Sequence, residues 1–406
     1  MKILWVKTNL LHPLNSGGVI RTYNMLRQLS REHEVTYVAL DSATEATSRR
    51  RAEEYCLRLI QVPWRGAPRR TQWQFYVQAL ANLRSDLPLP LERYRVPQLE
   101  DALHGLTQRE SFDIAVCDFL FPALHFSAVR GTPRLLFQHN VESLIWDRMW
   151  KHARGIARPY FRSQAERMRR WEARLAQGFD HVVTVSIEDA RLMRKWFGLQ
   201  NVTSIPTGVD TEYFRPQAGG PERDVVFVGS LDWLPNIDGV RWLLCEVWPI
   251  IRNNRPSARL HLVGRRPSRT IRRLTKRTPG IVLWPDVPDV RQHLWRAAAV
   301  VVPLRVGGGT RLKIFEALAC QKAVVTTTVG AEGLPVANGR HALVASEATD
   351  FASAVLTILD DPEQRRRLGE AGRKLVSERY SWRAVADAFA EICRSVVSAE
   401  PTRSAT

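Results

Sequence analysis

VGGGTRLKIFEALACQKAVVTTTVGAEGL, residues 306–334, is the stretch whose reading decides the fold. An apolar run precedes it, AAAVVVPL at 297–304, and its Val-rich centre predicts a fully buried strand. Gly307, Gly308, Gly309 and Thr310 follow, then RLKIFEALA, with Leu312, Phe315, Leu318 and Ala319 at helical spacing. Gln321-Lys322 turns the chain into AVVTTT, a second buried strand, and Gly330 and Gly333 mark another loop. The order is strand, glycine loop, helix, strand. A glycine loop feeding a helix N-terminus offers unpaired N–H groups and a positive dipole end, which suit a phosphate. The loop is neither a Walker A nor a GxGxxG, since it has no GK[ST] and no third spaced glycine.

Glu316 lies four residues after Leu312 and three before Ala319, on or beside the apolar stripe. A carboxylate there needs donors. Ribose hydroxyls would supply them, and so would water, Arg311 or Lys313 if the residue sits at the helix flank.

The 406 residues suggest two or three domains, and 45% hydrophobic with 25% charged content is ordinary for a globular protein. The net charge of +18 is not ordinary. It favours acidic partners such as nucleotides, sugar phosphates or anionic lipid, or it reflects coding bias and solubility. Five scattered cysteines without CxxC spacing argue against a disulfide framework or structural zinc and for a reducing compartment. MKILWVKTNLL enters directly into a strand pattern without a signal-peptide h-region, and no apolar run of membrane-spanning length occurs. The expected location is cytoplasmic, either free or peripheral on the inner membrane face.

Taken in order, 2–7 is a buried strand, Gly17-Gly18 opens a helix over about 19–31, and 34–40 is the next strand. The region 41–110 is less readable, because Pro63, Pro68, Pro88 and Pro90 interrupt any long helix. There Trp64, Trp73, Phe75 and Tyr76 lie beside arginines, as an acceptor groove or a packed excursion would have them; nucleic acid is not expected as a partner. Strands follow at 112–117 and 133–137, the second leading into Gln138-His139-Asn140. His139 thus stands at a strand's carboxyl end, where such sheets bind ligands, although a lone His there is also a common cap or structural residue. Residues 146–177 read as two helical pieces broken around Gly155 and Pro159, rich in aromatic and basic residues. They suit an interfacial helix on anionic lipid and equally a core helix with an arginine outer face. The strand–helix rhythm repeats over 180–207, and a fresh sheet starts at 224–228, with strands at 258–263 and 281–284. Helices at 348–359, 362–378 and 382–397 close the chain.

With its flanks, the 306–334 segment resembles the nucleotide-sugar site of glycosyltransferase family 4, in the subset with a GGGTRLK-type loop. VTVSIEDARLM followed by NVTSIPTGVDTEYFRP resembles that family's interdomain join, with Thr207 for its common Asn, and GGVIR at 17–21 matches its Gly-Gly-x-x-Arg. The resemblance implies retaining enzymes of the α/β GT-B fold, in which two Rossmann-like, doubly wound parallel-sheet domains face a cleft. It implies an acceptor-binding domain at 1–205, a donor-binding domain at 206–380, a crossover helix at 381–397 and a disordered tail at 398–406.

By the same resemblance His139 and Glu316 are catalytic, with Glu316 on the ribose and His139 on the donor sugar. Gly17, Gly18, Gly229, Ser230, Arg265, Gly307, Gly308, Gly309, Thr310, Arg311 and Lys313 bind the donor, and Arg21 with His139 meets the acceptor. The family's Glu, seven residues, Glu signature is half present, because its first Glu falls on Gly308. Ser230 replaces an Arg that binds the leaving diphosphate, and DWLPNIDG lacks the Lys that helps it. Arg311 and Lys313 are the leading replacements, with Arg265 and Arg305 in reserve. No DxD motif stands in a convincing context, so no metal or other cofactor is expected. The implied partners are a UDP- or GDP-linked sugar donor and a glycan or polyprenyl-linked acceptor in polysaccharide biosynthesis. A GT-B epimerase or phosphorylase and a non-catalytic basic scaffold for membrane or nucleic acid are the competing readings.

Overall fold

Short runs of Val, Ile, Leu and Ala that are apolar on both faces bury most readily as central parallel strands, each followed by a helix that covers a face. The structure, a computed structural model, describes residues 1–14, 17–41, 49–64, 66, 73–152, 155, 157–217, 224–306 and 312–399. Contacts divide the chain into two units, Met1–Pro206 with Val385–Thr406, and Thr207–Ala384.

The first unit is a seven-stranded parallel sheet of β1 (Lys2–Lys7), β2 (Glu34–Asp41), β3 (Arg58–Pro63), β4 (Ile114–Asp118), β5 (Arg134–Gln138), β6 (His181–Thr184) and β7 (Val202–Ser204). Its order is β3-β2-β1-β4-β5-β6-β7. Its longer helices are α1 (Gly17–Leu29), α2 (Trp73–Ala81), α3 (Pro97–Arg109), α4 (Glu142–His152), α5 (Ala157–Ala176) and α6 (Ile187–Phe197). The second unit is a six-stranded parallel sheet of β8 (Asp224–Val228), β9 (Leu260–Gly264), β10 (Ile281–Pro285), β11 (Ala297–Val302), β12 (Ala323–Thr326) and β13 (Leu343–Val344), ordered β10-β9-β8-β11-β12-β13. Its longer helices are α7 (Leu234–Trp242), α8 (Trp248–Asn254), α9 (Arg269–Arg277), α10 (Leu312–Ala319), α11 (Ala348–Asp360) and α12 (Pro362–Arg379). α13 (Trp382–Ser398) ends the described chain. Among the described residues no helix is long and apolar enough to cross a membrane.

Some elements differ from the sequence expectation. β3 was not anticipated; RLIQVP carries Arg and Gln, because it is the edge strand and only Val62 is buried. α1 starts at Gly17 rather than Val19. Pro159 does not break the 146–177 region. It sits in the first turn of α5, where its missing N–H costs no helical bond, and the break lies between His152 and Ala157. β4 runs one residue past the expected end to include Asp118, which is fully buried.

From Val385, α13 belongs to the first unit. Val385, Ala386, Phe389, Ala390 and Cys393 are buried at helical spacing. The Phe389 ring lies 5.5 Å from Trp5 and 5.2 Å from Phe137, so the last helix closes over the centres of β1 and β5. Truncating Phe389 leaves a cavity beside two rings, Trp5 and Phe137. Phe389→Ala should lower the stability of this unit by about 3–5 kcal/mol in chemical denaturation, whereas Val397→Ala at the exposed end should change it by under about 0.5 kcal/mol.

Candidate active site

In an open parallel sheet, ligands bind beyond the carboxyl ends of the strands where the strand order reverses. In the first unit that point lies between β1 and β4. β1 brings Trp5 and Lys7 there, β4 ends on Asp118, β5 leads into His139, and α1 starts with Gly17 and Gly18. A buried carboxylate persists only when its oxygens are met. Asp118 Oδ1 accepts from Lys7 Nζ at 2.6 Å, and its Oδ2 accepts from Trp5 Nε1 at 2.9 Å and Thr22 Oγ1 at 2.6 Å. His139 Nε2 approaches Oδ1 to 2.8 Å, out of line for a full hydrogen bond. Burial alone would raise the Asp118 carboxyl; Lys7 and His139 outweigh it and hold the group well below the usual carboxylate range.

His139 is buried, and desolvation together with the Lys7 charge pulls its imidazole down to about 4 against the lift from Asp118. It is therefore neutral at physiological pH. Gly18 abuts it: a β-carbon there would lie 3.3 Å from His139 Nδ1. Nothing lies within 4 Å of the corresponding point on Gly17. Arg21, one turn along α1, is drawn down to about 10 by burial while Asp118 and Asp189 hold its charge. Gly18, Arg21 and His139 thus share one electrostatic neighbourhood. Gln138, the residue before His139, donates to Glu172 Oε1 at 2.8 Å, and the same carboxylate accepts the Glu142 and Ser143 N–H groups that open α4, each at 2.8 Å. Glu172 so fixes both ends of the His139 loop. Asp118 and Glu172 were missed in the sequence; each is an ordinary acidic residue until the fold shows what surrounds it.

In the second unit the order reverses between β8 and β11. Gly307, Gly308, Gly309, Thr310 and Arg311, all expected at the donor, lie outside the described residues. The helix they lead into, α10, carries Lys313 to the end of β8. Lys313 Nζ donates to Asn236 Oδ1 at 2.8 Å and lies 4.7 Å from the centre of the Phe227 ring. Asn236, buried at the start of α7, donates in turn to the Ser230 carbonyl at 2.8 Å. A β-carbon at Gly229 would lie 2.7 Å from Lys313 Nζ and 2.9 Å from Asn236 Nδ2, so only glycine lets this cation reach the loop. Burial lowers the ammonium to about 8, with Glu316 pulling the other way.

Glu316 lies one turn further along α10. Burial pushes its carboxyl up to about 7, against Lys313. Among the described residues no hydrogen-bond donor meets it. The Ser230 hydroxyl donates to Asp232 Oδ1 at 2.6 Å, so this loop carries an acid where the resemblance implied cations. Arg265 is exposed beside that acid. Arg305 lies 3.7 Å from Asp238 and 3.9 Å from Glu246. Among the described residues, then, Lys313 is the cation that packs against Gly229 itself, while Arg266 lies 3.9 Å from Asp232 on the exposed side of the loop, and Asn236 is the residue that the sequence reading missed. Its signal was present in DWLPNIDG, the loop searched for a Lys.

Residues 15–213 match the family described as Glycosyltransferase Family 4, and residues 222–361 match Glycosyl transferases group 1. Over 401 residues the chain is 20% identical to an uncharacterized 44.6 kDa protein in the cps region of Klebsiella pneumoniae, covering 95% of this chain and 97% of that one. It is 27% identical over 307 residues to alpha-maltose-1-phosphate synthase of Mycolicibacterium smegmatis, covering 66% and 75%. Among solved structures, Anabaena HepE in complex with UDP and glucose superposes with a TM-score of 0.63 at 14% identity, over 97% of this chain and 100% of that one. Sucrose-phosphate synthase of Thermosynechococcus elongatus does so with 0.64 at 18% identity, over 98% and 100%. These likenesses give the fold, GT-B. The chain belongs to glycosyltransferase family 4 and is a glycosyltransferase.

The neutral imidazole is directly checkable. In an NMR titration the His139 ring signals should stay fixed from about pH 8 to about pH 5 and move only as pH approaches about 4. The folded value lies below the ordinary histidine value of 6.5, so the unfolded chain takes up the proton first. Stability contributed at this site should be lost as pH falls from about 6.5 through about 4, before Asp118 begins to protonate.

Proposed function

We propose that the protein is a retaining, metal-independent transferase that moves a sugar from a nucleoside-diphosphate sugar to a glycan or lipid-linked acceptor in polysaccharide biosynthesis. The observation that carries this reading is the pair of Lys313 and Glu316 on α10. Lys313 is held at the Gly229 loop with two N–H donors left after Asn236, and Glu316 stands without a donor among the described residues. A diphosphate answers the first and two ribose hydroxyls answer the second. The HepE structure containing UDP and glucose supports a donor of this class.

Departure of a nucleoside diphosphate leaves charge on its phosphates, and preorganised donors that meet this charge lower the barrier. In this reading Lys313 supplies the positive charge that meets it, in place of the family's missing Arg and Lys. Glu316 orients the nucleotide. Neutral His139, pinned against Asp118, presents its ring to the sugar, and Arg21 to the acceptor.

Thermal shift in EDTA with UDP, GDP, ADP and their sugars tests the reading. One nucleotide at about a hundred times its dissociation constant should add about 2.7 kcal/mol. No selective shift, or a shift that EDTA abolishes, would refute it. Lys313→Ala and Glu316→Ala should each weaken the selected nucleotide by about tenfold or more.

The pair also sets a pH window. Binding requires Glu316 ionised and Lys313 protonated. Affinity should therefore fall below about pH 7 as Glu316 takes up a proton and fall above about pH 8 as Lys313 loses one. Lys313→Arg should remove the alkaline limb, because a guanidinium keeps its charge there. Calorimetric titration across that range distinguishes the bell from a flat profile.

A further inference from the structure

α9 exposes Arg269, Arg272, Arg273, Lys276 and Arg277, while Ile271 and Leu274 turn inward onto the core of the second unit. No Asp or Glu occurs from residue 247 to residue 285, so nothing in the neighbouring sequence offsets these charges. Among the described residues none of the five is ion-paired, and Arg272 Nε donates to the Pro267 carbonyl at 3.2 Å.

The helix packs on β10, and β10 ends the sheet. In a parallel strand the N–H and C=O of one residue point the same way, and that direction alternates along the chain. The Gly280 carbonyl accepts from the Leu260 N–H at 2.9 Å, and the Asp286 N–H donates to the Gly264 carbonyl at 3.1 Å, so the even positions face β9. The backbone groups of Ile281 and Leu283 therefore point away from the sheet, and no described residue bonds to them. Pro285, the next outward position, has no N–H, so the open edge is short.

Arg272, Thr275 and Lys276 of α9 and Ile281 and Leu283 of β10 line a groove of about 350 Å³. Arg272 and Lys276 are four residues apart, about 6 Å along the helix axis. Alternate residues of an extended chain are about 6.6 Å apart and project to one face. A strand laid along β10 would thus set every second side chain against α9 at the spacing of these two cations. Carboxylates at those positions would meet them. The intervening side chains would fall on the face of Val282 and Trp284, where the indole is 40% exposed. A lipid surface or a nucleic acid would meet the cations but leave the Ile281 and Leu283 backbone groups bare. A second copy of this chain, edge to edge, would set like charges against each other across a two-fold axis.

We propose that the groove between α9 and β10 docks an extended acidic segment of a partner protein, which adds to β10 as a further strand and places alternate carboxylates against Arg272 and Lys276. The inference is independent of the donor site.

Fluorescence anisotropy with a labelled probe peptide, Glu-Val-Glu-Val-Glu-Val-Glu, tests it on the full-length protein. The probe should bind saturably, and more weakly as salt rises. A peptide of the same composition in blocks, all Glu and then all Val, reads the spacing. The probe N-methylated at its central residues reads the backbone pairing. Each should bind at least about tenfold more weakly. Arg272→Glu with Lys276→Glu should weaken the probe about tenfold or more, with melting temperature and nucleotide shift unchanged. If that variant does not fold, Arg272→Gln with Lys276→Gln gives the same reading, and the two altered peptides need only the wild type. Absence of saturable binding overturns the proposal. Equal affinity for the block or N-methylated peptide overturns it too, since the face would then be cationic and nothing more. Capture of the wild type by anionic vesicles or single-stranded DNA, without probe binding, assigns the cations to lipid or nucleic acid and overturns it as well. The nucleotide shift is read on the same samples, so a failed donor reading leaves the peptide result standing.

Discussion

A fully buried carboxylate, Asp118, holds the first unit's site together. Removing a charge from water costs several kcal/mol unless partners replace the lost hydration, and four side chains surround Asp118. Lys7 and Trp5 come from β1, Thr22 from α1 and His139 from the end of β5. Each of these elements is therefore constrained at the place where the strand order reverses. Neutralising Asp118 would strand the Lys7 ammonium beside His139, so the network holds as a whole or loosens as a whole. The imidazole is neutral for the same reason. Burial and the neighbouring Lys7 disfavour a second cation there more strongly than Asp118 invites one.

The second unit meets the same topological position with different chemistry. Neither β8 nor β11 ends on an acid. A neutral amide, Asn236, bridges the end of β8 to Lys313, which is 77 positions away in the chain. A cation can serve a phosphate site from any element whose side chain reaches it. The glycine at 229 is what permits the reach here, since a side chain would occupy the space of the ammonium. Placing the charge on α10 rather than in the β8 loop also puts it on the same helix as Glu316. Each then acts on the other's titration, Glu316 raising the Lys313 ammonium and Lys313 lowering the Glu316 carboxyl.

Most of the fold was legible because buried parallel strands leave little choice of residue. The runs at 2–7, 224–228 and 297–302 are nearly all apolar, and glycines mark the turns after them. β3 escaped because an edge strand tolerates Arg and Gln. Pro159 misled because proline is compatible with a helix's first turn, and a sequence alone does not say which turn it occupies. At the site, residues carried by a pattern were readable: Gly18, His139, Lys313 and Glu316. Asp118, Glu172 and Asn236 were not, since their roles come from partners far along the chain, up to 113 residues away for Asp118. No local rule distinguishes a strand-end Asp that turns to solvent from one that anchors three strands.

The two basic–aromatic segments show why composition alone leaves such questions open. Along α5 several arginines meet rings, backbone carbonyls or acids of the same unit. Arg167 is buried and donates to the Asn82 and Ser85 carbonyls at 2.7 and 2.6 Å, Arg169 lies 4.2 Å from the centre of the Trp196 ring, and Arg170 is 3.3 Å from Asp86. Met168 of α5 is fully buried and Trp171 packs on the core, so that region is a core helix with an arginine outer face. Around α2 the same ingredients occur, but Trp73, Tyr76, Val77 and Leu80 meet water. A basic–aromatic segment therefore declares itself by where its acceptors and apolar contacts lie. When they are internal, as along α5, the segment is packing.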